Sequence, residues 1–174
     1  MSQLVDAISE STAGTPVNEH SDLGSILAGM VHTLGSGAAA ARALGVSPTT
    51  FYRWRNAATG RARGISQQPK AGRRTMVAAI RRAGLKPDKE RAIRSGAHSL
   101  KVKGWVRVSK DRRLRTIDFA TSFSQRDRDR FLNAWLSGDD ERADRALTVA
   151  IDVNYVEDIY FDQIEWARYT PGGL

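Results

Sequence analysis

Apolar residues at Leu23, Ile26, Leu27, Met30, Val31 and Leu34 recur at the three-and-four spacing of one helical face, with Asp22 or Ser21 available as the cap. Gly35 and Gly37 end this helix, and an alanine-rich second helix, Ala38 to Leu44, follows. Helical spacing resumes over Thr75 to Ala83, where Met76, Val77, Ile80 and Ala83 share a side, and Gly84 stops it. Lys86 to Ser95 predicts a short further helix starting near Pro87. Residues 1–22, rich in Ser, Thr and small side chains and without a sustained period, are expected to form a mobile tail.

The period then changes to two. Leu100, Val102, Gly104, Val106 and Val108 alternate with Lys101, Lys103, Trp105, Arg107 and Ser109, which predicts a strand with one buried face. Lys110 to Arg113 reads as a turn and Leu114 to Phe119 as a second, antiparallel strand. Phe131, Leu132, Trp135 and Leu136, capped by Ser124 and stopped at Gly138, restore helical spacing. A helix from about Asp139 carries Ala143, Leu147, Ile151 and Tyr155, and Ile159 to Tyr169 reads as a terminal strand. The fold class is therefore α+β. An N-terminal helical part over 23–96 is expected to precede a small β-β-α-α-β part over 97–174, whose three-stranded sheet is covered by two helices.

One segment carries a recognisable motif. Over Gly37 to Asn56 the chain fits a helix-turn-helix: Ala41 is small where two helices cross, Gly45 suits a left-handed turn, and Ser47 with Pro48 opens the next helix. Phe51 and Trp54 anchor that helix against Ala40, Leu44 and Val46. Ser47, Thr49, Thr50, Tyr52, Arg53 and Asn56 are left facing outward, where such a helix enters a major groove. Arg53 is the candidate for reading a guanine edge, and Thr49, Tyr52 and Arg55 for touching phosphate or a thymine methyl.

Charge sharpens this reading. Residues 1–41 hold no Lys or Arg and four acids, residues 42–115 hold 21 Lys or Arg against three acids, and residues 116–174 hold six Arg against twelve acids. So basic a middle block repels itself unless a polyanion neutralises it, and double-stranded DNA is the expected partner. Further candidate contacts are Arg61 and Arg63 in the stretch Gly60 to Arg74, which reads as an exposed basic loop, the pairs Arg73-Arg74 and Arg81-Arg82, and the hairpin face Lys101, Lys103, Trp105 and Arg107, whose aromatic among cations suits phosphate contact or base stacking. For each, a solvated or packed role stands beside the contact role.

Other classes drop out. The chain has no cysteine, and His20, His32 and His98 lack ligand spacing, so no thiolate zinc site is available and no metal or cofactor is expected. No phosphate loop or nucleophile with a base is visible, so no enzymatic activity is expected. Glu157, Asp158, Asp162 and Glu165 include the donor types of a Mg²⁺ site, but read more simply as surface acids. With no secretory signal and no apolar run of bilayer length, a cytoplasmic, nucleoid-associated protein without a membrane partner is expected.

The order of parts resembles the telomere terminal proteins of actinomycete linear plasmids and chromosomes. The resemblance lies in Ala-Arg-Ala-Leu-Gly-Val-Ser-Pro-Thr-Thr-Phe-Tyr-Arg-Trp (41–54), Arg-Arg-Ala-Gly-Leu (81–85), Lys-Gly-Trp-Val-Arg-Val-Ser (103–109) and Arg-Thr-Ile (115–117), and spans about residues 25–169. It implies a protein that caps the ends of a linear replicon by covalent attachment to DNA 5′ ends. A hydroxyl side chain would accept the first nucleotide, with a DNA polymerase supplying the chemistry. The implied partners are single-stranded or folded-back DNA ends and a polymerase or telomere-binding protein. Thr116, beside Arg112, Arg113 and Arg115, is the acceptor this suggests, with Ser109 and Ser122 as rivals. The alternative is a transcriptional or plasmid-replication regulator that binds an operator reversibly as a homodimer, its two-fold axis imposing half-sites about 10 base pairs apart.

Overall fold

The structure, a computed structural model, describes residues 3–14, 16–61, 72–97, 99–108, 110–118, 123–154 and 159–170. In chain order these form α1 (Gln3–Ala13), α2 (Leu23–Leu34), α3 (Gly37–Ala43), α4 (Pro48–Ala58), α5 (Arg73–Gly84), α6 (Pro87–Ser95), β1 (Ser99–Val108), β2 (Asp111–Asp118), α7 (Gln125–Leu136), α8 (Asp140–Asn154) and β3 (Ile159–Thr170). The class is α+β, with an antiparallel sheet in the order β2-β1-β3.

Helices α2 to α5 enclose the first core. Ile26, Leu27 and Met30 of α2 meet Ala40 and Ala41 of α3, Phe51 and Trp54 of α4, and Met76, Val77 and Ile80 of α5, all nearly or wholly excluded from water. Capping fixes the ends: the Asp22 carboxylate accepts from the Ser25 amide at 2.9 Å, and the Ser36 hydroxyl accepts from the Ala39 amide at 3.1 Å. The hydrogen bonds that Asp22 receives from Ser25 hold its carboxyl below its ordinary value.

The second core lies between the sheet and helices α1, α6, α7 and α8. Val102 and Ile117 face Phe131, Leu132, Trp135, Ala143 and Leu147 there. The alternation along β1 holds, since Val102, Gly104 and Val106 are buried while Lys101 and Arg107 are exposed. Strand β2 starts at Asp111, three residues before the expected Leu114 and within the expected turn, because the ladder continues through the pairs Arg107–Arg112 and Val108–Asp111.

Three expectations are corrected. The N-terminal stretch is not simply a tail, because residues 3–13 form α1, whose Val5 and Ile8 are buried in the second core. Its short apolar set, Val5 and Ile8, is too brief to announce a helix without the sheet that covers it. The packing does not divide at residue 96 either, since Leu85 and Ile93 join the second core along with α1. Arg73 and Arg74, expected in an exposed loop, form the first turn of α5.

Helix α5 binds the two cores together. Its Met76, Val77 and Ile80 face the first, whereas Arg81, the residue after Ile80, is 1% exposed and reaches the second. Arg81 reaches Asp140 at 2.7 Å, donates to the Trp135 carbonyl at 3.0 Å and to the Ser9 hydroxyl at 3.3 Å, and lies over the Trp135 ring at 5.1 Å. The indole nitrogen of Trp135 also donates to Ser9, at 2.8 Å. Burial lowers the Arg81 pKa from its usual value, and the opposing charge of Asp140 resists that change.

Candidate nucleic-acid interface

The turn between α3 and α4 is closed by backbone bonds. The Val46 amide donates to the Ala41 carbonyl and the Gly45 amide to the Arg42 carbonyl, both at 3.0 Å, with Gly45 at φ +66°. This six-to-one and five-to-two pairing needs a left-handed residue at Gly45, which an L side chain adopts at a cost of about 1–2 kcal/mol. Ser47 then caps α4, accepting from the Thr50 amide at 3.2 Å, while the two hydroxyls lie 2.9 Å apart. Ser47 and Thr50, expected among the contact residues, thus shape the start of α4.

Helix α4 has two distinct sides. Phe51 and Trp54 are buried, and Thr49, Tyr52, Arg53 and Asn56, at relative positions 0, 3, 4 and 7, form one exposed stripe. Tyr52 is 44% exposed, yet its ring lies against Gly37 so closely that a β-carbon there would stand 2.6 Å from the ring and the hydroxyl. Gly37 thereby sets where the Tyr52 ring sits. Arg55 is half-buried at the margin of the stripe.

Ion pairing separates the cations further. Among the described residues, Arg42, Arg53, Arg55, Arg61, Arg73 and Arg82 have no carboxylate within 4.0 Å. Arg42, on the last turn of α3, is a member of this set that the motif reading did not single out. Arg74 is held by Glu19 and, at 3.2 Å, by Asp139, and its pKa is raised chiefly by its hydrogen bond to Glu19. The expected grip on DNA by the pair Arg81-Arg82 is corrected for Arg81, which is buried in the second core. Arg63 lies outside the described residues.

On the hairpin face each expected cation faces an acid. Lys101 stands 3.7 Å from Asp118, Lys103 3.0 Å from Glu165, and Arg107 3.6 Å from Asp162, which also takes Arg112 at 2.9 Å. Trp105, expected as a stacking platform, carries the Arg112 guanidinium 4.8 Å above its ring. The acids arrive through register shifts. Gly104 pairs with Ile164 but Lys103 with Trp166, and Trp105 pairs with Gln163 but Val106 with Phe161, so Glu165 and Asp162 are the extra residues of two bulges in β3. Strict alternation in the sequence hides such residues, because a bulge places an additional side chain on one face.

Thr116 is exposed on β2 opposite Lys103, and its hydroxyl makes no hydrogen bond among the described residues. The basic surroundings expected for it are corrected: alternation places Arg113 and Arg115 on the opposite face with Ile117, and Arg112 is held by Asp162 and by Gln163 at 3.2 Å. Ser109 and Ser122 lie outside the described residues, as do Glu157 and Asp158. Asp162 and Glu165 are occupied by the cations of the hairpin, and no group of three metal-ligating residues occurs among the described residues. No single described helix is long and apolar enough to cross a membrane. Comparison with protein-family models, with curated proteins and with solved structures finds no match for this chain.

Proposed function

We propose that the chain binds double-stranded DNA through α3 and α4 acting as a helix-turn-helix, with the N-terminal half of α4 in the major groove. The observation that carries this reading is the exposed stripe Thr49, Tyr52, Arg53 and Asn56, bordered by cations free of acids, in a protein whose hairpin cations are largely paired. Arg53 is the base-reading residue, because a guanidinium matches the two acceptors of a guanine edge. Arg42, Arg55, Arg61 and Arg73 supply phosphate contacts. A nucleoid-associated location follows from this function.

The test selects duplexes bound by the full chain from a random pool, then measures affinity against salt. A log-log slope of about −3 to −5 is expected for this many phosphate contacts. Arg53→Ala flattens the base preference at one position, with a loss of about 1–3 kcal/mol in discrimination. A slope near zero overturns the proposal.

Capping of replicon ends through a hydroxyl side chain is the most concrete form of this function, and it rests on the resemblance of the motifs together with the exposed, unbonded hydroxyl of Thr116. DNA isolated under SDS without protease decides it. Protein that remains attached and is released with a nucleotide by nuclease supports capping, whereas complete separation leaves the reversible regulator.

A further inference from the structure

The acidic last third of the chain holds six arginines, and three of them line one open groove between α7 and α8. A cavity of about 300 Å³ there is lined by Asp127, Arg130, Asn133, Arg142, Arg145 and Val149. Arg142 and Arg145 have no carboxylate within 4.0 Å among the described residues, and Arg130 has only Asp127, at 4.0 Å. Asp127 is already engaged, since its carboxylate accepts the Ser124 hydroxyl at 2.6 Å. The Asn133 oxygen accepts from Arg94 at 2.9 Å, a bond that does not use its two amide N–H donors. Three guanidinium groups along a groove whose one carboxylate is already engaged give it a positive potential that attracts an anion.

We propose that this groove binds a phosphate group. A carboxylate offers two oxygens and one charge, whereas a terminal phosphate offers three non-bridging oxygens and up to two charges, one acceptor for each of three guanidinium forks. The volume falls at the small end of ligand sites. Val149, 50% exposed, gives the groove an apolar margin. A free phosphate monoester offers three such oxygens on one group, and the backbone of a nucleic acid offers two on each of its successive phosphates, so either source supplies the acceptors. The groove draws on no residue of α4, so this inference stands or falls apart from the reading of that helix.

The experiment titrates the isotope-labelled full chain with inorganic phosphate at constant ionic strength and follows the arginine side-chain N–H signals by NMR. The signals of Arg130, Arg142 and Arg145 are expected to move together and saturably. In the double variant Arg142→Ala/Arg145→Ala, both positions being exposed, affinity is expected to fall tenfold or more. If these three signals do not move, or if the double variant binds phosphate as the natural chain does, the site is refuted. Retained folding of the variant is read from its remaining backbone spectrum, and the variant Arg142→Lys/Arg145→Lys, which keeps the charge but loses the forks, is expected to bind in between.

The source of the phosphate is separated by two further titrations of the same variant. A reduced salt dependence for duplex DNA identifies the polynucleotide backbone. An unchanged salt dependence, with lost binding of a mononucleotide, identifies a free phosphate ester.

Discussion

Arg81 and Asp140 meet at 2.7 Å with both side chains almost wholly out of water, and the angle of approach leaves Asp140 Oδ1 and Arg81 Nε without a hydrogen bond. A buried pair of this kind is expensive to break from one side only, because the surviving charge remains buried. Asp140→Ala and Arg81→Ala are each expected to destabilise by about 3–5 kcal/mol. The double variant Arg81→Met/Asp140→Leu is expected to lie much closer to the natural protein. Urea denaturation of the four proteins checks this, and a double variant as unstable as the sum of the singles contradicts it.

Gly138 should tolerate no side chain. It adopts φ +75°, and a β-carbon there would stand 2.2 Å from the Arg74 carbonyl oxygen at the start of α5. Because the obstacle is helix backbone, the clash cannot be relieved by rotating a side chain. Gly138→Ala is expected to lose more than about 2 kcal/mol, beyond the left-handed cost alone. Thermal unfolding monitored at both cores measures it.

Gly37→Ala acts differently, because the group it meets is the end of the Tyr52 ring. The ring can swing outward, so stability is expected to change by less than about 1 kcal/mol. DNA affinity, under the proposed function, is expected to fall because Tyr52 leaves its place on the α4 stripe. Gly37→Ala/Tyr52→Ala compared with Tyr52→Ala isolates the effect: the added glycine substitution should make little further difference.

Neutralising the bulge acids should release the hairpin. In Asp162→Asn/Glu165→Gln, the cations Lys103, Arg107 and Arg112 lose their carboxylate partners. Non-specific DNA affinity is expected to rise, with the log-log salt slope steeper by about 1–3 units. An unchanged slope means that this face does not reach DNA even when its charge is free.

Acid should weaken the first helix cap. The folded-state pKa of Asp22 is depressed, so its stabilising contribution is present above its ordinary value of 3.8 and is lost as pH falls through the lower folded value. In Asp22→Asn, stability is expected to show a shallower decline below about pH 4 than in the natural chain. Parallel declines in the two proteins would remove Asp22 from the acid response.

The order of residues along the chain is enough to specify the helices of the first core and the period-two strands. Ile26, Leu27 and Met30, or Val102 and Val106, announce a buried face through spacing that depends only on local backbone geometry. It also determined the turn at Gly45 and the cap at Ser47, since both are set by neighbours a few residues away. The role of each cation, by contrast, is set by packing between distant segments. Arg81 and Arg82 are adjacent and identical, yet α5 turns the first into the second core and leaves the second in water. Lys103 meets Glu165 across 62 positions of sequence because bulges in β3 shift the register. Helix α1 likewise depends on a sheet whose last strand lies at the other end of the chain. Ion pairing and burial are relations between distant segments, and no local period records them.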